Sequence, residues 1–194
     1  MKENSFWSDA WKYGAILGVL ASVSRLFEDY LIYYSSVPLE RMAVTYLIEI
    51  LIYSVIFIYL LVRFTKRRSQ MFANEGFTFG QGFGYSFTLI ILAMIIVGVL
   101  RTIFIQIMGF NDYIDGFIGR IDQFEAYMTE NESLAKSMGD SDLMGDMEEM
   151  RIELRAMKQP SMFLNVWSAV NSSAFVALIL ASIIGFNTRR KPLN

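Results

Sequence analysis

Apolar residues gather in four long stretches along the chain, and their pattern predicts an all-α protein built to cross a membrane. A spanning helix needs about 20 mostly apolar residues, because each adds about 1.5 Å against a hydrocarbon core of about 30 Å. Residues 43–62 meet this with Glu49 as the one charge, and residues 83–100 carry none before Arg101. Residues 162–186 are as long, interrupted by Asn165, Asn171 and the Ser172-Ser173 pair. The first stretch is the least regular: residues 13–23 are apolar, then Arg25, Glu28 and Asp29 precede an apolar 30–34. Counted together, these predict four transmembrane helices at about 13–34, 43–62, 83–108 and 162–186. A cleavable leader centred on residues 15–21 competes for the first. A neutral amino-terminal flank, with Trp7 and Trp11 placed as interfacial anchors, favours a span instead.

Between the third and fourth stretches the period changes. Phe110, Ile114, Phe117, Ile121, Phe124 and Met128 recur at spacings of 4 and 3, and so do Leu143, Met147, Met150, Leu154 and Met157. Each series is the seam of an amphipathic helix. Between them, residues 129–142 hold Asn131, Ser133, Gly139 and Ser141, which supply a turn, and Ser141 or Asp142 can cap the second helix. The third span is therefore expected to continue outward as a helix, turn, and return antiparallel to the fourth, with Pro160 at the point of re-entry. Residues 109–161 would form a helical hairpin inserted in one four-helix membrane domain. Either its two seams pack on each other or its methionine-rich face takes a partner.

Charge adds an orientation. Residues 109–161 hold twelve acidic and five basic side chains, net −7. Arg63, Lys66, Arg67 and Arg68 against Glu75 give +3, as do Arg189, Arg190 and Lys191. Basic flanks remain cytoplasmic, which puts both termini in the cytoplasm, the acidic hairpin outside, and the connector 35–42, with Pro38, in a short external turn. Arg63 to Arg68 is read as this topology signal, with contact to anionic lipid headgroups as its other use.

Composition narrows the chemistry. The chain has 194 residues, 54% of them hydrophobic and 19% charged. Mean hydropathy is +0.39. A net charge of −2 offers no basic field for nucleic acid. Cysteine and histidine are absent, which removes thiol and Ser-His nucleophiles, thiolate or imidazole zinc sites and His-ligated haem. A serine nucleophile would then need a lysine base, and no predicted span contains lysine. No catalytic residue, cofactor or metal is expected. Asp140, Asp142 and Gly145 match the start of a calcium loop, but Met144 and Arg151 stand at its fifth and twelfth positions. The run Gly80-Gln81-Gly82-Phe83-Gly84 lacks the lysine of a phosphate loop, and Tyr85 stands where a dinucleotide fingerprint needs glycine. Gly80 and Gly84, one turn apart, suit a tight turn and close helix approach instead.

Two sets of polar residues lie inside the predicted spans. Asn165, Ser168 and Asn171 or Ser172 follow at spacings of 3 and 4, suited to hydrogen bonds with a neighbouring helix or to a solute path. Arg25, Glu28, Asp29, Glu49 and Arg101 fall at similar outer depth and form a candidate intramembrane charge cluster. It reads as ion pairing that fixes helix rotation, or as a proton or cation site. Glu49, with no basic residue in its own predicted span, would pair with Arg101 or Arg25.

The stretch Phe77-Thr78-Phe79-Gly80-Gln81-Gly82-Phe83-Gly84, the Trp11-Lys12-Tyr13-Gly14 entry to the first span, the acidic insert and the basic tail resemble the bacterial membrane family of unknown function DUF4199. The resemblance covers about residues 6–191, with Met108-Gly109-Phe110 where members often carry a proline. It implies this architecture and a bacterial inner-membrane location, and it carries no assigned activity. The expected function is non-enzymatic: a structural, assembly or regulatory protein in the lipid bilayer, whose hairpin contacts a second copy or another envelope protein. The alternative is a small channel or transporter using the five intramembrane charges.

Overall fold

The computed structural model describes residues 5–72, 74–131 and 143–192. Its helices are α1 (Phe6–Asp29), which runs on through a π-helical turn at Tyr30–Tyr34, α2 (Leu39–Met71), α3 (Phe79–Met108), α4 (Phe110–Glu130), α5 (Leu143–Ala156) and α6 (Met162–Thr188). Three of them, α2, α3 and α6, are long and apolar enough to cross a membrane. The helix α1 is not among them, and charges near both of its ends, Asp9 and Lys12 in the first two turns and Arg25, Glu28 and Asp29 in the last two, account for that. The helix α2 outruns its apolar stretch at both ends. Leu39, Glu40, Arg41 and Met42 are good helix formers placed directly after Pro38, whose carbonyl accepts the Met42 N–H at 2.9 Å, and the basic residues at 63–68 are equally compatible with helix.

The chain divides into two compact units, one drawn from residues 1–25, 49–102 and 161–194 and the other from 26–48 and 103–160.

In the first unit α3 supplies the largest share of the core. Tyr85, Leu89, Ile90, Leu92 and Ala93 are buried against Ala10, Tyr13 and Leu17 of α1, Leu61 of α2, and Ala177 and Ile184 of α6. Close approach rests on glycine. A Cβ at Gly14 or Gly18, one turn apart on α1, would stand 2.9 or 2.8 Å from the Cβ of Leu92 or Ile96 on α3. Small residues at such positions let two helix backbones approach closely. The motif at 77–84 has an equally local basis. Thr78 caps α3: its hydroxyl accepts the Gln81 N–H at 3.2 Å while the Gln81 side chain accepts the Thr78 N–H at 2.8 Å, a reciprocal capping box. Phe77 exchanges two backbone hydrogen bonds with Arg190. The close approach expected at Gly80 and Gly84 lies elsewhere. A Cβ at either of those would meet nothing within 4 Å, whereas one at Gly82 would sit 2.9 Å from the Gly185 Cα of α6. Gly82 is half a turn from both, on the inward side of the helix.

The second unit is built around α4. The expected continuous helix from span three does not form: Gly109, at φ +98°, separates α3 from α4 in a conformation that L side chains rarely adopt. Its carbonyl accepts the Tyr34 hydroxyl at 3.1 Å and the Tyr113 N–H at 3.2 Å. On one side of α4, Ile114, Ile118 and Ile121 form a buried cluster with Met147 and Leu154 of α5, flanked by Phe110, Phe117 and Phe124. Met128 is also buried, while Met150 and Met157 are 45% and 51% exposed. These two leave the expected seam because at 100° per residue Met150 is turned about 60° from Met147, whereas Leu154 returns to within about 20° of it. Met157 lies beyond the end of α5. The side chain of Leu143 lies outside the described residues, as do the expected turn at 132–142, its capping residues Ser141 and Asp142, and Asp140.

Candidate functional site

The face of α4 opposite α5 carries Tyr113, Gly116, Arg120 and Gln123, at spacings of 3, 4 and 3. It seats on the π turn and the residues after it. Tyr33 packs at 4.0 Å from Tyr113, the rings tilted by 40°, and meets Phe117 edge-on at 5.6 Å. At Gly116 the two backbones touch: a Cβ there would overlap the Tyr33 carbonyl, lying 2.6 Å from its carbon. One turn on, Arg120 is 6% exposed and its guanidinium is enclosed by acceptors. Nε donates to the Ile32 carbonyl at 2.8 Å, Nη1 to the Val37 carbonyl and to Gln123 Oε1 at 2.7 Å, and Nη2 to the carbonyls of Leu31 at 2.8 Å and Ser35 at 2.7 Å. The end of a helix leaves four carbonyls without intrahelical donors. Arg120 supplies donors for the end of the π turn in one side chain, with its positive charge at the negative pole of the helix. Burial holds its pKa below the ordinary arginine value.

On the α5 side, Arg151 lies on the same face as Met147 and Leu154. It donates to Asp122 at 2.8 Å, to Glu148 at 3.1 Å and to Glu125. The hydrogen bonds it donates to Glu125 and Asp122 hold its pKa above the ordinary value. Neither Arg120 nor Arg151 is evident as a site from periodicity alone. A usable signal was present for Arg120, the one basic residue within 110–130, four positions after a glycine on the same helix face.

The candidate charge cluster is distributed between the units. Arg25, Glu49 and Arg101 belong to the first, Glu28 and Asp29 to the second. Asp29 is fully buried, and none of Arg25, Glu28, Asp29 or Arg101 is without a partner. Glu49 differs: it is 8% exposed and its Oε1 is buried with no hydrogen-bond partner, so the expected pairing with Arg101 or Arg25 does not reach that oxygen. The polar set on α6 is split as well. Asn165 is buried and donates to Thr102 Oγ1 of α3 at 2.9 Å, but Ser168, Asn171 and Ser172 are exposed. Spacings of 3 and 3 rotate Asn171 about 120° away from Asn165, from the inward to the outward face.

Further polar links in the first unit join α2 to its neighbours. Arg68 pairs with Asp9 of α1 at 2.8 Å, Thr65 bonds Ser86 of α3 at 3.0 Å, and Ser69 donates to the Thr188 carbonyl of α6 at 2.8 Å. A cleft of about 410 Å³ in the same unit is apolar apart from hydroxyls such as those of Ser24, Tyr53, Ser54 and Ser173. Among the described residues no group of three acidic side chains is placed to hold a metal ion.

No curated protein and no solved structure matches the chain. A family profile does, over residues 12–190, from the α1 entry through the capping box of α3 to the strand-like pairing of Arg190. The chain therefore belongs to DUF4199, a family of proteins of unknown function.

Proposed function

We propose that the protein is a non-enzymatic, multi-pass component of a bacterial inner membrane that crosses the bilayer four times, with both termini cytoplasmic. In this reading α4 and α5 form an antiparallel hairpin outside the membrane, and that hairpin is a contact surface for a second copy or another envelope protein. The observation that carries it is the surface of α5. With Met147 and Leu154 turned inward and Arg151 clamped by three carboxylates, α5 still exposes Met150 and Ile152, at 45% and 60%, beside the acidic Glu149 and Glu153. Adaptable methionine and aliphatic side chains on a braced helix suit a protein partner. The fourth span is assigned to α1, whose 24 residues extend about 36 Å and whose charges, Asp9 and Lys12 at one end and Arg25, Glu28 and Asp29 at the other, flank an uncharged run at 13–24.

Reporter fusions after Arg68 and after Arg190 should read cytoplasmic, and one at Asp140 external. An external signal at Arg190 together with a cytoplasmic one at Asn4 would mean an odd number of spans and end this topology. Within the hairpin, Met147→Asp should cost about 2–4 kcal/mol by removing buried apolar contact and burying an unpaired charge, while Met150→Asp should change stability by less than about 0.5 kcal/mol. Equal effects at both positions in a thermal melt would contradict the α4–α5 packing.

A second reading, a small channel or transporter using Arg25, Glu28, Asp29, Glu49 and Arg101, is favoured by the buried, unpartnered Oε1 of Glu49. It predicts that Glu49→Gln keeps the melting temperature of the wild type within about 2 °C and abolishes proton or cation flux into liposomes. Absence of flux from the wild-type protein would dispose of it.

A further inference from the structure

On the exposed side of α2, Arg63, Lys66, Arg67 and Gln70 follow one another at i, i+3, i+4 and i+7, and so share one helix face. They line an open groove of about 740 Å³ with Tyr59, Leu60 and Phe64 at its apolar end. The helix α1 adds a fourth cation. Tyr13 stacks on Phe64 at 4.4 Å, and both Arg67 and Lys12 stand over the Tyr13 ring, at 5.8 and 5.7 Å. Nearby acid is already committed, since Asp9 is held by Arg68. Among the described residues no carboxylate pairs with Arg63, Lys66, Arg67 or Lys12. Four cations therefore face outward with no carboxylate among the described residues to meet them.

Their depth gives the missing anion a chemistry. Arg63 is the first charge after the apolar run of α2, and Tyr59, one turn before it, is 59% exposed, as suits an aromatic side chain at the membrane–water interface. Trp11, beside Lys12, is 53% exposed. Basic groups just beyond an apolar run, with aromatic rings at the boundary, lie where phosphodiesters of a bilayer lie. We infer that this groove is a binding site for the headgroup of an anionic phospholipid, with the phosphate held by Arg63, Lys66 and Arg67 and completed by Lys12, and the first acyl carbons laid along Tyr59, Leu60 and Phe64. The inference rests on α2 being a membrane span.

The test uses the purified full-length protein, stripped of lipid and reconstituted into phosphatidylcholine vesicles with or without one-fifth phosphatidylglycerol. Phosphatidylglycerol should raise the melting temperature of the wild type and appear as retained lipid in native mass spectrometry. The triple variant R63Q/K66Q/R67Q should still enter vesicles but bind phosphatidylglycerol about a hundredfold more weakly, since each cation near an anionic surface contributes about 1 kcal/mol. The charge-preserving pair R63K/R67K should retain most of the affinity, and raising salt should weaken the wild type towards the triple variant. Phosphatidylglycerol binding equal in the triple variant and the wild type overturns the site. So does full stabilisation by inorganic phosphate without anionic lipid, which would make it a free-anion site. Failure of the wild type to enter any vesicle would instead refute the span on which the inference rests.

Discussion

Gly116→Ala is expected to lower the melting temperature of the protein by about 10 °C, while Gly119→Ala, three residues along the same helix, is expected to raise it. Both positions are in α4, and in a helix interior alanine is favoured over glycine by about 1 kcal/mol. The two differ in what surrounds them. A Cβ at 119 meets nothing within 4 Å, so the propensity gain is realised. A Cβ at 116 is built against the Tyr33 carbonyl, 2.6 Å from its carbon and 3.1 Å from the Tyr33 Cα. That neighbour is backbone, held by the π turn and by Arg120, and cannot swing aside as a side chain would. The helix must back away, which loosens the Tyr33–Tyr113 ring contact and the Arg120 hydrogen bonds at once. Overpacking alone costs about 1–3 kcal/mol, and the lost contacts bring the total to about 3 kcal/mol or more. At 2–4 °C per kcal/mol for a chain of this size, the shift is readily measured. Parallel behaviour of the two alanine variants would show that α4 does not seat on this turn.

The elements were legible because they are written in long, repeated patterns. Three apolar stretches appear as the spanning-length helices α2, α3 and α6, and the spacing of Ile114 and Ile121 marks the face that meets α5. What escaped is what depends on a partner far away in the chain. Arg120 has no carboxylate to reveal it and is satisfied by carbonyls more than 80 residues earlier. Gly116 looks like any helix glycine until Tyr33 is placed beside it. Met150 and Met157 fit the alternating 4 and 3 spacing, but Met150 lies about 60° round α5 from Met147, Met157 lies past the helix end, and Arg151 takes the middle of the contact in their place. The family motif at 77–84 was visible as glycines, whereas its working parts are Thr78, Gln81 and Gly82, through a cap and a single close approach.

Arg120→Met should destabilise the protein by about 3–5 kcal/mol, and Arg120→Lys should recover less than half of that. The side chain of methionine fills much of the space but donates nothing, leaving the carbonyls of Leu31, Ile32, Ser35 and Val37 without the donors they now have. Each buried acceptor deprived of its partner costs about 1–3 kcal/mol, reduced wherever water can enter. Lysine separates the two contributions of arginine. It keeps a positive charge near the end of the π turn, and so retains the interaction with the helix dipole, worth at most about 2 kcal/mol. It has three donors on one nitrogen, however, where the guanidinium distributes five over a plane. A single ammonium cannot reach the Ile32 carbonyl now served by Nε and also those of Leu31, Ser35 and Val37 served by the two terminal nitrogens. Arg155→Met, at an exposed position of α5, serves as the control and should stay within about 0.5 kcal/mol of wild type. Hydrogen exchange locates the effect: amides of the π turn and of α4 should lose protection in Arg120→Met before those of α6 do. Full recovery of stability by Arg120→Lys would reduce the role of Arg120 to that of a charge, and the multiple carbonyl contacts would then not be what secures α4 to the turn.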